Sequence, residues 1–426
     1  LNTSKYFSLN ALNVDLFKQK VLCWLKQYNT FTYLDNNHYS NVPNRYELLV
    51  GVDVVRSFSV TELQLPENKG QWMFGHLSYD YKEQLFTKLT SSHSRKDTFP
   101  ITQFYIPKIV IAIPFQSSQV EIIAASDHDI IFNAILFCEV EEDASLNFKI
   151  EVEWQEDMNQ QQYINAVKAI QNHIKEGDCY ELNLCNGYEM HRVNVDPFKV
   201  FKKLNKINPA PFAAFYKYDN NFLLSSSPER YLYKAKSLLV SQPIKGTIKK
   251  GATWNEDEQL KLQLKNNIKE CAENLMITDL VRNDLARICK LGSVKVPDLL
   301  GLYTFNSLHH LISTIQGEVI ETYSLKEILS IPFPMGSMTG APKYIVMELI
   351  DKYELSSRGI YSGSIIYITP EGDLDSNVVI RSIVYNSVTK KLHFHSGGAI
   401  TIDSDPEKEW DEICLKSQRL MDVLKS

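Results

Sequence analysis

Apolar residues in this chain arrive in short bursts, which limits it to an architecture built largely of strands. Runs of strand length, bounded by turns, recur at Tyr46–Val54, Trp72–Tyr79, Ile106–Pro114 and Val120–Ala125. Such segments suit half-buried strands rather than long helices. Further strand-like segments lie at Tyr180–Leu184, Ala213–Tyr218, Leu223–Ser226, Ser364–Thr369, Asn377–Tyr385 and Leu392–Ser396. Three helical patterns are set among them. Tyr163, Val167, Ile170 and Ile174 recur at near-helical spacing, with Gly177 as the stop. A long helical pattern covers Asn255–Val281. The last helix has Asp405 as its N-cap, Pro406 at the first helical position, and Trp410, Ile413, Leu420 and Leu424 as its buried stripe. Strands and helices mix without strict βαβ alternation, so the fold class is α+β, with large sheets covered by helices.

Charge and cysteine usage narrow the function. The 426 residues are 44% hydrophobic and carry a formal net charge of -6. No excess of Lys and Arg points to nucleic acid or to an anionic membrane, so a small substrate or a protein partner is expected. The longest apolar runs, Ile109–Phe115 and Ile130–Cys138, fall far short of the ~20 residues that cross a bilayer. No basic segment leads into an apolar stretch at the N-terminus, so no signal peptide is expected. The seven Cys form no C-x-x-C pair and read as reduced, buried thiols. The cytoplasm is the expected compartment. An acidic run at Glu141–Ser145 marks a soft boundary, either a surface loop or a linker.

Two pairs of carboxylates carry the first chemical signal. Glu270 and Glu273 sit three apart on one expected helix, and Glu409 and Glu412 three apart on another. Residues at i and i+3 share a helix face, so each helix can aim two carboxylates at one point. Apolar neighbours, among them Leu275, Met276, Trp410 and Ile413, would hold these acids near the core edge. Converging carboxylates repel one another unless a cation joins them, and oxygen-only ligands favour Mg2+. The alternative is two solvated helix faces, a common arrangement. A second signal is MGSMTGAPKY (335–344), where Gly, hydroxyl residues and a Lys precede a helical run. Such a stretch can receive an anion, a carboxylate among them, although it is neither a P-loop nor a dinucleotide fingerprint. Gly397–Gly398 ends a strand, and Arg381 lies at the end of another strand-like run, where an inward guanidinium would need a carboxylate partner. Each glycine cluster can equally be a tight turn.

Together these pieces form an ordered set. The chain carries GDCYELNLC (177–185), SSPER (226–230), PIKGT (243–247), KECAENLMITDLVRNDLARI (269–288), HHLISTIQGEV (309–319), GSMTGAPK (336–343), RGIYSGSIIYITPEGDLDSNVVIRS (358–382), SGGAI (396–400) and EKEWDEICLKSQ (407–418). This collinear set resembles the chorismate-utilising enzymes: anthranilate synthase component I, aminodeoxychorismate synthase component I, isochorismate synthase and salicylate synthase. WMFGHLSYDYKEQL (72–85) resembles the family's strand near the domain core more loosely. The resemblance implies two antiparallel β-sheets packed face to face with helices outside, and a site in the cleft between the halves. Residues 1–147 would contribute to the sheets and residues 148–426 would form the chorismate-binding catalytic part, in one integrated unit. By motif position, Glu273 and Glu412 would bind Mg2+ directly, with Glu270 and Glu409 holding its water shell. Tyr361, Arg381, Thr247, Lys343 and the backbone around Gly340, Ala341, Gly397 and Gly398 would position the substrate. Glu229 matches the general acid that helps the C4 hydroxyl leave, and His310 matches the family's active-site histidine.

Two residues choose a branch within that resemblance. PIKGT places Lys245 where anthranilate synthases usually carry Ala. This Lys is characteristic of the aminodeoxychorismate-forming branch, where it acts as a nucleophile at C2. A Lys beside a divalent cation and away from bulk water would have its pKa lowered, freeing the lone pair. The milder alternative is a salt-bridge partner for the substrate. At Glu181, isochorismate and salicylate synthases carry a Lys that activates water, so the acid argues against the water-adding branch. Gln is common there in the other branches, which leaves the role of Glu181 open, down to a hydrogen bond alone. NPAPFAAF (208–215) also resembles the aminodeoxychorismate branch. No G-x-C-x-G elbow is present, so ammonia is expected from a separate glutamine amidotransferase subunit or from solution. No fused lyase segment is expected, so the expected product is 4-amino-4-deoxychorismate, on the route to p-aminobenzoate and folate. The competing readings are anthranilate synthase component I and a catalytically inactive binding subunit.

Overall fold

The structure is a computed structural model describing residues 2–9, 13–41, 44–91, 93–140, 153–305 and 308–425. Two antiparallel sheets form its frame. The larger, 12-stranded, runs in the order Thr3–Ser8, Gln119–Ala124, Ile109–Pro114, Tyr46–Val52, Thr30–Asp35, Phe212–Tyr218, Asn221–Ser227, Ser382–Asn386, Lys391–Ile400, Glu181–Met190 and Gly340–Ala341, with Gln155–Glu156 also paired to Glu181–Met190. The smaller, 10-stranded, runs Ile244–Lys249, Leu308–Glu318, Leu238–Gln242, Arg230–Ala235, Leu374–Asn377, Ser364–Ile368, Met73–Leu77, Thr102–Ile106 and Arg56–Phe58, with Lys295–Phe305 also paired to Leu308–Glu318. Strands from early and late in the chain pair directly: Thr30–Asp35 with Phe212–Tyr218, and Met73–Leu77 with Ser364–Ile368. The acidic run Glu141–Ser145 lies outside the described residues.

Side-chain alternation along the strands builds the layers. Leu49, Val110, Ala112, Tyr216 and Leu223 of the larger sheet meet Phe74, Tyr105, Ile365 and Tyr367 of the smaller one in a single apolar cluster. The intervening residues Leu48, Val50, Ile111, Ile113, Phe215 and Leu224 point the other way, into a core shared with helices Val14–Trp24, His128–Leu136, Pro197–Ile207 and Pro406–Leu424. On the far side of the smaller sheet, Leu232, Leu239, Ile315 and Ile366 pack with Ile277, Val281 and Leu285 of helix Ile268–Ala286. Between the sheets, the Tyr105 hydroxyl bonds to Thr32 Oγ1 and the Gly51 carbonyl, each at 2.9 Å.

Several expected elements divide. Ile106–Pro114 is not one strand. Thr102–Ile106 belongs to the smaller sheet and Ile109–Pro114 to the larger, and the chain changes sheet at Pro107, which has no N–H to give a ladder. Asn377–Tyr385 divides likewise into Leu374–Asn377 of the smaller sheet and Ser382–Asn386 of the larger. The long helix expected from Asn255 breaks at Asn266–Asn267 into Trp254–Lys265 and Ile268–Ala286. The Asn267 side chain accepts from the Glu270 N–H, so the second helix starts with its own cap. Gly397–Gly398 does not end a strand, since Lys391–Ile400 runs through both. Gly177 closes helix Gln160–Glu176 at φ 86°, and Asp405 caps helix Pro406–Leu424, as expected. Cys179, Cys185 and Cys289 are buried, whereas Cys23, Cys138, Cys271 and Cys414 are partly exposed. No described helix is long and apolar enough to cross a membrane.

The Tyr105 hydroxyl ties one sheet to the other, so Tyr105→Phe should lower stability by about 1–2 kcal/mol. The check is the urea midpoint at unchanged m-value.

Candidate active site

Two crossings between the sheets build one wall of the site. The chain leaves the larger sheet at Ser227 and enters the smaller at Arg230, placing Glu229 on the connection. It returns between Asn377 and Ser382, placing Arg381 on the other. The crossings hold each other: Ser227 Oγ donates to the Val378 carbonyl at 2.6 Å, the Val378 N–H to the Glu229 carbonyl at 3.0 Å, and the Ser226 N–H to the Arg381 carbonyl at 3.2 Å. Arg381 adopts φ 50°, a backbone state that costs a non-glycine residue about 1–3 kcal/mol and persists only where its surroundings enforce it.

Lys245 comes from the neighbouring strand. Pairing with Leu308–Glu318 slips between Ile244 and Thr247, and Gly246 at φ 90° takes up the extra residue. Such a bulge re-aims side chains, and here the Lys245 ammonium donates to Glu181 Oε1 at 2.6 Å. Thr247 resumes the ladder opposite His310, and its Oγ1 lies 2.9 Å from His310 Nδ1. His310 is fully buried, its Nε2 has no hydrogen-bond partner, and burial holds the ring neutral, well below its ordinary pKa. The adjacent His309 faces away, to Asp257 at 2.8 Å and Thr304 at 2.8 Å.

Helix Ile268–Ala286 closes the opposite side. Its Asn274 amide donates to the Lys245 carbonyl at 3.2 Å and to the Leu311 carbonyl at 3.0 Å, fixing the helix to both strands. This residue was not singled out in the sequence. Glu273, one position earlier, is buried, and burial raises its carboxyl to about 7 against the opposing pull of Lys245. Its Oε1 is buried without a hydrogen-bond partner. On helix Pro406–Leu424, Glu409 is buried and accepts from Ser404 Oγ at 2.7 Å. Lys269 stands between the helices, 3.0 Å from Glu409 and 3.7 Å from Glu273. Glu270 is half-buried, and burial and the Glu412 charge raise its pKa. Glu412 itself is exposed and paired with Lys416 at 2.7 Å, which lowers its pKa.

The four acids therefore share one neighbourhood without meeting at a point. No three of them bring one oxygen each within 4.8 Å; among the described residues only His173, Glu176 and Asp178 do so. The ammonium groups of Lys269 and Lys416 supply the positive charge beside Glu273, Glu409 and Glu412. The donor set still fits a hard divalent cation: all oxygen, acidic, with an orphaned buried oxygen on Glu273.

The loop ahead of helix Lys343–Tyr353 lies flat on the Glu181 strand. Gly340 and Ala341 pair with Leu182 and Glu181, and a Cβ on Gly340 would stand 2.0 Å from the Glu181 carbonyl oxygen. Only glycine fits there, at φ 140°. The buried Arg358, also missed in the sequence, clamps this junction: it donates to the Met338 carbonyl at 2.6 Å, to the Asn183 carbonyl at 2.8 Å and to the Glu354 carboxylate. Gly397 lies against Cys185, and Gly398 faces Glu409. Tyr361 is buried and stacks on His395 at 5.3 Å.

The Lys343 ammonium donates to Asp284 at 2.6 Å and to the Pro332 carbonyl at 2.8 Å. Burial would depress the pKa of Lys245, but the nearby Glu181, Glu273 and Glu229 outweigh it and leave it raised. Burial raises the Glu229 carboxyl to about 7, with Ser337, Lys245 and Arg381 offsetting part of the effect. A cavity of about 330 Å³ opens beside it, lined by Glu229, Gly336, Ser337, Val378, Asp284 and Pro332 among others. A second cavity of about 450 Å³ lies between the sheets, bordered by Asp35, Asn36, Asn44, Phe212, Tyr367 and Asp375, and none of the candidate catalytic, substrate-binding or metal-binding residues lines it.

Comparison with known proteins places this geometry among relatives. Residues 35–422 match the family model described as chorismate binding enzyme. Aminodeoxychorismate synthase of Arabidopsis thaliana, a chloroplastic protein, is 44% identical over 265 residues, which is 62% of this chain and 29% of that protein. Aminodeoxychorismate synthase component 1 of Escherichia coli is 37% identical over 278 residues, which is 65% of this chain and 61% of that protein. The match thus spans less than two thirds of either relative. Among solved structures, anthranilate synthase component I of Streptococcus pneumoniae superposes with a TM-score of 0.76 at 20% identity, covering 90% of this chain and 93% of that one, and so shares the fold.

Glu229 should keep its proton to about pH 7. A protonated-carboxyl infrared band should be present in acid and fade as the pH rises through about 7. Glu229→Gln should remove part of that band and leave the contribution of Glu273.

Proposed function

The chain belongs to the chorismate binding enzymes, and on that premise we propose that it converts chorismate and ammonia to 4-amino-4-deoxychorismate. One observation carries the choice of branch: the bulged strand aims Lys245 into a cluster with Glu181, Glu229 and Glu273. An anthranilate-forming site has no need of an amine there. The two aminodeoxychorismate synthase relatives add to this reading.

Residue by residue, the chemistry runs as follows. Glu229, a buried acid that stays protonated near neutrality, donates its proton to the departing C4 hydroxyl. Lys245, as the neutral amine, bonds to C2 as that hydroxyl leaves, and ammonia then bonds to C4 and expels the lysine. Burial of the site keeps water from competing with ammonia. Arg381 supplies positive charge on the Glu229 wall, and Tyr361, Thr247 and the backbone at Gly340–Ala341 and Gly397–Gly398 shape the carboxylate seats. His310, neutral and with a free Nε2, offers a buried hydrogen-bond partner to the substrate.

Mg2+ would be held by Glu273 and Glu412, with Glu270 and Glu409 around its water shell. Bound there, it would neutralise the substrate's ring carboxylate and orient the ring. Lys269 and Lys416 would have to withdraw from these acids for it to enter. A glutamine amidotransferase subunit is the proposed source of ammonia, and the cytoplasm the proposed compartment.

The deciding experiment is product identification with chorismate, Mg2+ and ammonium, with and without an added aminodeoxychorismate lyase. p-Aminobenzoate should appear only with the lyase; fluorescent anthranilate without it would reverse the assignment. Lys245→Ala should cut turnover at least ~100-fold while chorismate still binds by calorimetry. Unchanged turnover would remove the lysine from the chemistry. Glu273→Gln should raise the Mg2+ concentration for half-maximal rate at least about tenfold, and an unaltered titration would discredit that ligand.

A further inference from the structure

A protonated lysine cannot attack carbon, and the Lys245 ammonium is engaged in an ion pair with the Glu181 carboxylate at 2.6 Å. The reaction proposed above therefore needs a group that takes a proton from Lys245 at the moment of attack. The structure offers a candidate in direct contact. Glu181 is 1% exposed, and its Oε1 lies 2.6 Å from the Lys245 ammonium. Its Oε2 is buried without a hydrogen-bond partner, so nothing in the protein spends that oxygen on structure. The strand at Glu181 is pinned on both sides, by the Gly340–Ala341 pairing and by the ladder to Lys391–Ile400. Arg358 braces the same segment at the Asn183 carbonyl. The carboxylate is thus delivered from a rigid backbone to the one amine that must change protonation state. Among the described residues Glu181 is the acid in ion-pair contact with the Lys245 ammonium, and Glu229 is needed as the general acid.

We propose that Glu181 is the proton acceptor for Lys245, an inference that rests on the reading of Lys245 as nucleophile. The proton passes from Lys245 Nζ to Glu181 Oε1, leaving a neutral amine and a carboxylic acid. The nitrogen bonds to C2, the two ring double bonds each shift by one position, and the C4–O bond breaks. Glu229 gives its proton to the leaving hydroxyl, which departs as water. Ammonia bonds to C4, the double bonds shift back, and the C2–N bond breaks, releasing the neutral amine. The amine recovers its proton from Glu181, and the new C4 ammonium returns one to Glu229. The sum is chorismate plus ammonia giving aminodeoxychorismate plus water, with both acids restored. An amide at position 181 could hold the lysine but could not take its proton.

The test compares wild type, Glu181→Gln and Glu181→Asp with chorismate, Mg2+ and saturating ammonium, coupled to a lyase. It also follows the covalent chorismate adduct of Lys245 by mass spectrometry when ammonia is withheld. Glu181→Gln should lower kcat by about 100-fold or more, the scale of a positioned proton-transfer group, while KM for chorismate stays within about threefold. Adduct formation should slow in parallel, and Glu181→Asp should retain more of both. A purely structural ion pair would instead move KM and thermal stability and leave the adduct rate at saturating chorismate unchanged. Glu181→Gln with wild-type kcat and adduct rate overturns the inference. Should that variant fail to fold, Glu181→Ala with added formate decides: saturable rescue supports the role and absence of rescue overturns it. Wild-type protein that makes no aminodeoxychorismate would remove the parent reading, a result distinct from an active wild type beside an unimpaired Glu181→Gln.

Discussion

Burying negative charge is the constraint around which this molecule is arranged. Glu181, Glu229, Glu273 and Glu409 are all nearly inaccessible to water and stand close enough to alter one another's ionisation or to share a lysine. Isolated buried carboxylates are costly, and they either take up protons or acquire cations. Both responses are visible. Glu229 and Glu273 are pushed up to about 7, while Lys245 and Lys269 are drawn in as counter-charges. The same concentration of acids accounts for the ion pairs of Lys245 with Glu181 and of Lys269 with Glu409.

Holding those cations in place takes backbone devices. The bulge at Lys245–Gly246 turns the lysine out of its ladder, and Asn274 ties its carbonyl to the acidic helix. Arg358 does the same for the glycine loop and the Glu181 strand, with its own charge matched by Glu354. The two crossings between the sheets bring Glu229 and Arg381 from opposite directions and bond them to each other through main-chain groups. Side chains set on crossings belong to neither sheet's packed face, which leaves them free to line a cleft.

The sign of the Lys245 shift shows where local reasoning fails. Burial alone lowers a lysine pKa, and a neighbouring dication would lower it further. The acids around the ammonium oppose that depression. Glu181, which is in hydrogen-bond contact with it, lies 64 residues away in sequence, so its charge could not be read from the PIKGT motif. Lys343, in the glycine loop, is likewise paired across the fold, with the Asp284 carboxylate of a helix from elsewhere in the chain.

Lys245, Glu229 and Glu181 were legible only through the ordered motifs that resemble the chorismate-utilising enzymes, while period and punctuation in the sequence determined the α+β class, most strands, the caps at Asp405 and Gly177, and the two glutamate pairs at i, i+3. These are properties of short segments, where spacing alone fixes which side chains share a face. Tertiary structure decided that Ile106–Pro114 and Asn377–Tyr385 each serve two sheets, since either half is an adequate strand and only the opposing sheet selects the crossing point. It also decided that Asn274 and Arg358 brace the site, because both act on main-chain carbonyls of distant segments and leave no local signature. Above all it decided the partner of Lys245, the Glu181 carboxylate, since an ion pair depends on distance in space and spacing along the chain does not supply it.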